Sequence, residues 1–291
     1  VAHCGRFWQH RRLGMEDRPM CDACVMQTLA ARLGRRGMLR AAAAAGAVLA
    51  LSAAPAAAQV VRSAPISRVV DLTHTLRVDF PTFGGTPAFE MEPVFTQARD
   101  GYNLNRFSYA EHVGTHFDAP IHFSAQGATV DRIPVESLVC PLVVLDLRAR
   151  AAAEPDLQVT PEDIAVHEAA HGAIPAGACL ALNTGWEARV AGPGFRNLDA
   201  GNVMRFPGFR PDVAGLLLAR NVAGVAVDTL SLDRGSSADF GFHTAWLGAG
   251  RWGIECIAGL TGLPQTGATL VAGAPKIAGG TGGHGRVLAL L

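Results

Sequence analysis

Lysine is nearly missing from this sequence: Lys276 is the only one. Of the 25 basic residues 8 precede Gln59, against 3 of the 25 acidic ones, so the remainder carries 17 basic and 22 acidic groups, a formal balance of −5. A chain with that balance lacks the basic surface that grips a phosphate backbone, which excludes nucleic acid as a partner. There is no G-x-x-x-x-G-K phosphate loop and no G-x-S-x-G nucleophile turn, so neither of those chemistries is available. The apolar run Ala41 to Ala54 falls short of the ~20 residues a membrane span needs. Cysteine is sparse as well. Cys21-Asp-Ala-Cys24 has no second pair, and no histidine pair at zinc spacing, to complete it. Cys140, Cys179 and Cys256 stand in apolar surroundings and cannot all pair, which predicts buried thiols and no disulfide framework.

What is present divides the chain in three. Residues 1–33 are expected to be an unstructured leader, with Met20 a more natural beginning than Val1. Residues 34–58 read as an export signal: Arg35-Arg36-Gly-Met-Leu-Arg40, the apolar run, then Pro55-Ala-Ala-Ala58 as a small-residue cleavage site. The paired arginines with Met38-Leu39 behind them give it a twin-arginine look, and place the protein in the periplasm or outside the cell. Residues 59–291 are expected to be a single domain. A composition 49% hydrophobic, with 33 glycines and 17 prolines, suits a loop-rich globular fold.

Apolar runs bounded by Gly and Pro predict strands at Val69–Leu76, Val139–Leu147, Ala178–Asn183 and Val222–Asp228, with a last one at Val287–Leu291. The run from Val139 is almost continuously apolar, as in a strand covered on both faces. Thr160-Pro161-Glu162-Asp163 is a helix start: a hydroxyl cap, proline in the first turn, acids beside the dipole. A second helix is predicted from Pro211 to Arg220. Strands and helices mix without strict alternation, which favours mixed α/β.

The densest chemistry lies in Glu111-His-Val-Gly-Thr-His-Phe-Asp-Ala-Pro-Ile-His122. Neutral imidazole and carboxylate are the ligands a hydrolytic Zn²⁺ or Mn²⁺ takes, with positions left for water. His112, His116, Asp118 and His122 share one parity, yet a fully extended chain would hold His112 roughly 20 Å from Asp118 at ~3.3 Å per residue. Ligands lie ~2.0–2.2 Å from their metal, so the chain must fold back. Gly114 and Pro120 suit a sharp loop, and the reading is a strand from about Leu104 to Glu111 running into a ligand-bearing turn.

The string His112-Val-Gly-Thr-His116-Phe-Asp118-Ala-Pro-Ile-His122-Phe resembles the signature of the metal-dependent cyclase superfamily, which includes bacterial kynurenine formamidases (arylformamidases) and isatin hydrolases. Asp71-Leu-Thr-His-Thr, Asn183-Thr-Gly-Trp186, Val227-Asp-Thr-Leu-Ser-Leu-Asp233 and Gly273-Ala-Pro-Lys-Ile follow the same pattern in order, over roughly residues 66–291. The resemblance implies a mixed sheet or open barrel with flanking helices, of the swivelling β/β/α type, and a homo-oligomer (dimer or tetramer). It implies that His243 and Glu255 complete the metal environment, with one or two ions and Asp118 able to bridge them. The activity implied is a metal-dependent amidohydrolase that opens an aryl formamide such as N-formylkynurenine, or a cyclic amide such as isatin, with activated water. In that reading His122 shuttles the proton, Phe83 stacks on an aryl group, and His74 supports the ligands from behind. Phe83 stands where many relatives carry tryptophan, a departure that weighs against N-formylkynurenine. Asp228 and Asp233 read as turn caps.

Two motifs mislead and one alternative remains. His167-Glu168-Ala-Ala-His171 is literally the zinc-peptidase motif, but it falls in the terminal turn of the helix that Thr160 starts. Gly280-Thr-Gly-Gly-His-Gly285 matches a dinucleotide fingerprint, but too little chain follows for the helix and acid it requires, so a glycine loop is expected. The alternative is a non-catalytic metal- or ligand-binding module, from which His122 distinguishes an enzyme.

Overall fold

Order along the chain alternates between a curled sheet and its covering helices in the computed structural model, which describes residues 66–291. The leader, the export signal and the Cys21–Cys24 pair lie outside the described residues. Nine strands form the main sheet. In spatial order they are β1 (Val69–Asp71), β13 (Arg286–Leu290), β11 (Ala268–Gly273), β5 (Val139–Asp146), β7 (Cys179–Asn183), β9 (Gly224–Val227), β10 (Trp252–Glu255), β4 (His116–Asp118) and β12 (Gly282–His284). The middle four, β5, β7, β9 and β10, run parallel, and the strands flanking them pair antiparallel. The result is a mixed, curled open sheet, the mixed α/β architecture anticipated. Two small pairs stand apart: a hairpin of β2 (Phe89–Phe95) with β3 (Leu104–Tyr109), and β6 (Gln158–Val159) with β8 (Gly208–Phe209).

The parallel strands are apolar along most of their length because both of their faces are covered, and their polar residues Asp146, Asn183 and Glu255 stand at the strand ends. On β5, Leu142 and Val144 enter one core with Phe117, Leu270 and Val287. Val143 and Leu145 enter the other, under α3 (Pro161–His171), α4 (Pro211–Ala219) and α5 (Gly241–Gly248). Two shorter helices, α1 (Gln97–Asp100) and α2 (Arg148–Ala153), complete the set. Each fully buried aliphatic or aromatic side chain contributes about 1.5–3 kcal/mol relative to exposure. These two layers therefore hold the fold and carry the cost of any charge buried between strand ends.

Local signals act where expected. Thr160 caps α3 in a reciprocal box, its N–H donating to Asp163 Oδ2 (2.8 Å) while Asp163 N–H reaches its hydroxyl (3.4 Å). All three described cysteines are buried and free. Differences are informative too. The first strand stops at Asp71 because Asp71 Oδ1 accepts the Thr73 N–H in a tight turn. β3 ends at Tyr109, before the approach to His112 bends. The glycine segment near the end is not a free loop: Gly282–His284 is edge strand β12, paired with β4. Among the described residues no helix is long and apolar enough to cross a membrane.

Candidate metal centre

Gly114 reverses the chain between the first two histidines. Its φ is +68°, and a Cβ there would press on Leu76 and the His284 ring, so glycine alone fits. After the reversal β4 runs antiparallel to β10 in a register that sets His116 directly opposite Glu255. Pro120 then opens a single 3₁₀ turn, Pro120–His122, which swings His122 back until its ring stacks on His112 at 3.9 Å and 22°. His243 arrives from the first turn of α5. The structure therefore brings together His112, His116, Asp118, His122, His243 and Glu255.

His116, Asp118, His243 and Glu255 are buried, and their ligand-competent atoms converge. His116 Nε2 lies 3.5 Å from Asp118 Oδ1 and 3.3 Å from Glu255 Oε2. His243 Nε2 lies 3.0 Å from Glu255 Oε1 and 3.3 Å from Asp118 Oδ2. Two overlapping groups have all their donor atoms within 4.8 Å of one another: His116–Asp118–Glu255 and His112–Asp118–His122. Asp118 belongs to both.

The donor set fits a divalent cation. His116 Nδ1 lies 2.8 Å from the Gly114 carbonyl, which can only accept, so Nδ1 carries a hydrogen and Nε2 is the atom whose lone pair a metal would take on displacing its proton. His243 Nδ1 lies 2.6 Å from Asp233 Oδ2 and is pinned the same way. His116 Nε2 and Asp118 Oδ2 are buried with no hydrogen-bond partner, the condition a metal ligand is left in. No arginine or lysine pairs with Asp118 or Glu255, so no fixed cation of the protein neutralises them.

Titration follows from the same arrangement. Burial alone would lower the pKa of His116, but hydrogen bonds and charge from Asp118 and Glu255 outweigh it and hold it up at about 10. Burial is likewise outweighed at His243, where Asp118, Asp233 and Glu255 raise the pKa well above the usual value. For Asp118 burial would raise the pKa, yet the three imidazoles keep it well below the ordinary carboxylate range. The carboxylates thus retain protons on the imidazoles, which is the charge a divalent cation would replace. His122 differs: burial dominates and its pKa is lowered, so it stays neutral near pH 7.

Above the cluster lies a cavity of about 290 Å³ whose walls include Phe83, Phe123, Phe240 and Leu230. Phe83 packs against Phe240 at 5.9 Å, and Phe123 against His243 at 4.7 Å. Among the described residues no lysine or arginine lines the cavity. Arg196, close by, donates to the Phe83 carbonyl at 3.1 Å.

Several placements differ from the sequence reading. The His74 ring sits between Phe80 and Phe195 and touches no ligand; only its backbone N–H reaches the site, donating to Thr115 Oγ1 at 2.9 Å. Asp233, read as a turn cap, holds His243, while Asp228 accepts from Thr184 and Trp186 and is structural. Phe123 and Phe240 were not singled out. The adjacency of Phe123 to His122 was the available signal, whereas Phe240 depends on a left-handed turn (φ +48°) before α5.

The family model described as "Putative cyclase" matches residues 70–234. The chain belongs to the cyclase family. An isatin hydrolase from Roseibium aggregatum is 32% identical over 242 residues, 77% of this chain and 91% of that protein. A kynurenine formamidase from Salinibacter ruber is 29% identical over 181 residues, 61% of this chain and 75% of the relative. Among solved structures, isatin hydrolase A from Labrenzia aggregata, bound to benzyl benzoate, overlays with a TM-score of 0.72 at 38% identity, covering 77% of this chain and 93% of that one. A Bacillus stearothermophilus protein described as a "predicted metal-dependent hydrolase" overlays with a TM-score of 0.61 at 25% identity, covering 78% of this chain and 99% of that one. The chain thus joins membership of a family whose relatives named here are hydrolases to a convergent His/Asp/Glu cluster able to hold a metal ion.

Proposed function

We propose that this protein hydrolyses the carbon–nitrogen bond of a neutral aryl amide, and prefers a cyclic amide of the isatin type to N-formylkynurenine. One observation carries the preference: the ligand cluster forms the floor of a phenylalanine-walled cavity that no lysine or arginine lines. An amino-acid substrate brings a carboxylate that needs a cationic partner when desolvated. A planar neutral ring needs only stacking partners, which Phe83, Phe123 and Phe240 supply.

His112, His116, Asp118, His243 and Glu255 would hold zinc or manganese, as one ion or as two that share Asp118. Such an ion brings water activation near neutral pH and polarisation of a carbonyl oxygen. The chain's own residues do the rest. Phe83 and its neighbours orient the ring with its carbonyl toward the cluster. Neutral His122 accepts a proton from the attacking water and returns it to the departing nitrogen as the C–N bond breaks. A cyclic amide gives one ring-opened product bearing both a carboxylate and an aryl amine, whereas an aryl formamide gives formate and the free amine. Export is proposed with this activity on the strength of Arg35-Arg36 and the Ala41–Ala54 run, and a dimer or tetramer on the strength of the family resemblance.

The test is metal analysis of purified protein with a hydrolysis screen over isatin, other cyclic amides, N-formylkynurenine and a peptide. Bound zinc or manganese with fastest opening of isatin is the expected result. Faster cleavage of N-formylkynurenine would reverse the substrate order. Bound metal with no hydrolysis of anything would leave only a binding module.

A further inference from the structure

The segment Gly280-Thr-Gly-Gly-His-Gly285 binds no dinucleotide in this fold, yet its composition has a physical cause. Thr281 sits where β12 begins, against the outer side of His112. Its hydroxyl lies 3.1 Å from His112 Nε2. On its other side Glu111 grips it twice: the Thr281 N–H donates to Oε1 at 3.0 Å, and the hydroxyl donates to Oε2. A hydroxyl has one proton and two lone pairs. With the proton committed to a carboxylate, the oxygen can only accept from His112, so Nε2 carries the hydrogen. That leaves Nδ1, which stands 2.8 Å from Asp118 Oδ1, as the ring atom that faces the other ligands. A proton joins the two in the metal-free protein, and a divalent cation would displace that proton and take the Nδ1 lone pair.

We propose that Glu111 and Thr281 are positioning residues that fix the tautomer of His112, so that Nδ1 and not Nε2 is its metal-binding atom. The glycines around Thr281 make room for this. A Cβ on Gly282 would overlap the Phe117 carbonyl oxygen and come within 2.7 Å of His112 Cε1, and one on Gly280 would come within 3.0 Å of Glu111 Oε1. His116 and His243 are each held by Nδ1 and aim Nε2 inward. His112 is held the opposite way round. The inference rests on the reading of His112 as a ligand, and adds two residues and an orientation to it.

Long-range ¹H–¹⁵N correlation spectra of the wild-type protein, metal-free and zinc-loaded, read the tautomer directly. The expected zinc-loaded spectrum shows His112 protonated at Nε2 alone, with the Nδ1 resonance displaced from its metal-free position. Competition titration with a zinc chelator supplies the second readout. Thr281→Val, which keeps the shape and removes the hydroxyl, should weaken zinc binding about 10–100-fold, and Thr281→Ser should restore it, with the metal-free melting temperature of both near wild type. A Thr281→Val protein that binds zinc as tightly as wild type, or a zinc-loaded protein whose His112 stays protonated at Nδ1, overturns the proposal while leaving His112 a ligand. Wild-type protein that takes up no zinc or manganese removes the ligand reading and this proposal with it. If Thr281→Val does not fold, Glu111→Gln, which frees the hydroxyl to turn toward His112, replaces it in the titration with the same expected direction.

Discussion

Residues 112–118 and 167–171 each place two histidines four apart with a carboxylate close by, yet their surroundings differ. In the first segment each ligand imidazole is anchored at one nitrogen and aims the other at Asp118 or Glu255, whose neighbours include no guanidinium. In the second, Glu168 is held by Arg220 at 2.7 and 2.6 Å and also accepts the Ile174 N–H. No third donor joins His167 and His171, whose rings pack 4.9 Å apart at the end of α3. The carboxylate that could act as a base is already neutralised. A motif gives residue types, whereas a site requires carboxylates that the protein itself leaves without a fixed positive charge.

Substitutions can break that comparison. The largest expected effect is from Asp118→Asn, which removes the carboxylate common to both donor groups. Metal content should collapse and kcat/KM fall by about a thousandfold or more, since metal activation supplies several kcal/mol. Glu168→Gln should leave turnover within about twofold, with a stability loss of about 1 kcal/mol. If both variants lost activity equally, the two segments would not be distinct. Next comes His122→Ala, expected to keep its metal while kcat falls about 10²–10⁴-fold, the usual contribution of a placed proton carrier; loss of metal along with turnover would make His122 a ligand instead. Asp233→Asn leaves the ligands in place but loosens His243, so zinc affinity should drop about 10–100-fold, as read by chelator competition.

The smallest effect has a sign that sharpens the contrast. In metal-free protein the pKa of His116 is raised above its unfolded value, to about 10. Its contribution to stability is therefore fully present below about pH 6.5 and is lost as pH rises toward 10. His167 is shifted the other way, chiefly by burial. Its neutral form is favoured on folding, so its contribution is present above about pH 6.5 and is lost as pH falls. Melting curves of chelator-treated protein across pH should show a decline on the alkaline side that zinc suppresses and that His116→Gln reduces, the remainder coming from His243, whose pKa is raised by the same carboxylates. His167→Gln should alter only the acid side.

How much of this was legible follows from the distance over which each signal acts. The turn at Gly114, the cap at Thr160 and the buried strand from Val139 depend on near neighbours, and each lies where the sequence places it. The sites of His243 and Glu255 depend on the pairing of β10 with β4 and the packing of α5; spacing alone would have left a loop histidine and a surface acid. Family resemblance was what raised them. Asp233 was passed over because an aspartate in a turn is an ordinary cap, and only the approach of α5 gives it an imidazole to hold. Phe83 lies at the cavity wall, and its companions Phe123 and Phe240 become visible only when the two loops meet.

The antiparallel register that sets His116 against Glu255 joins residues 139 positions apart in the sequence (255 − 116). Until those strands meet, the nascent polypeptide offers an incoming ion only the local group of residues 112–122. Closing so long a loop carries an entropic penalty that the apolar layers, and not the ion, are large enough to offset. Cation capture is therefore a finishing event in the life of this protein, a lock set after the door is hung.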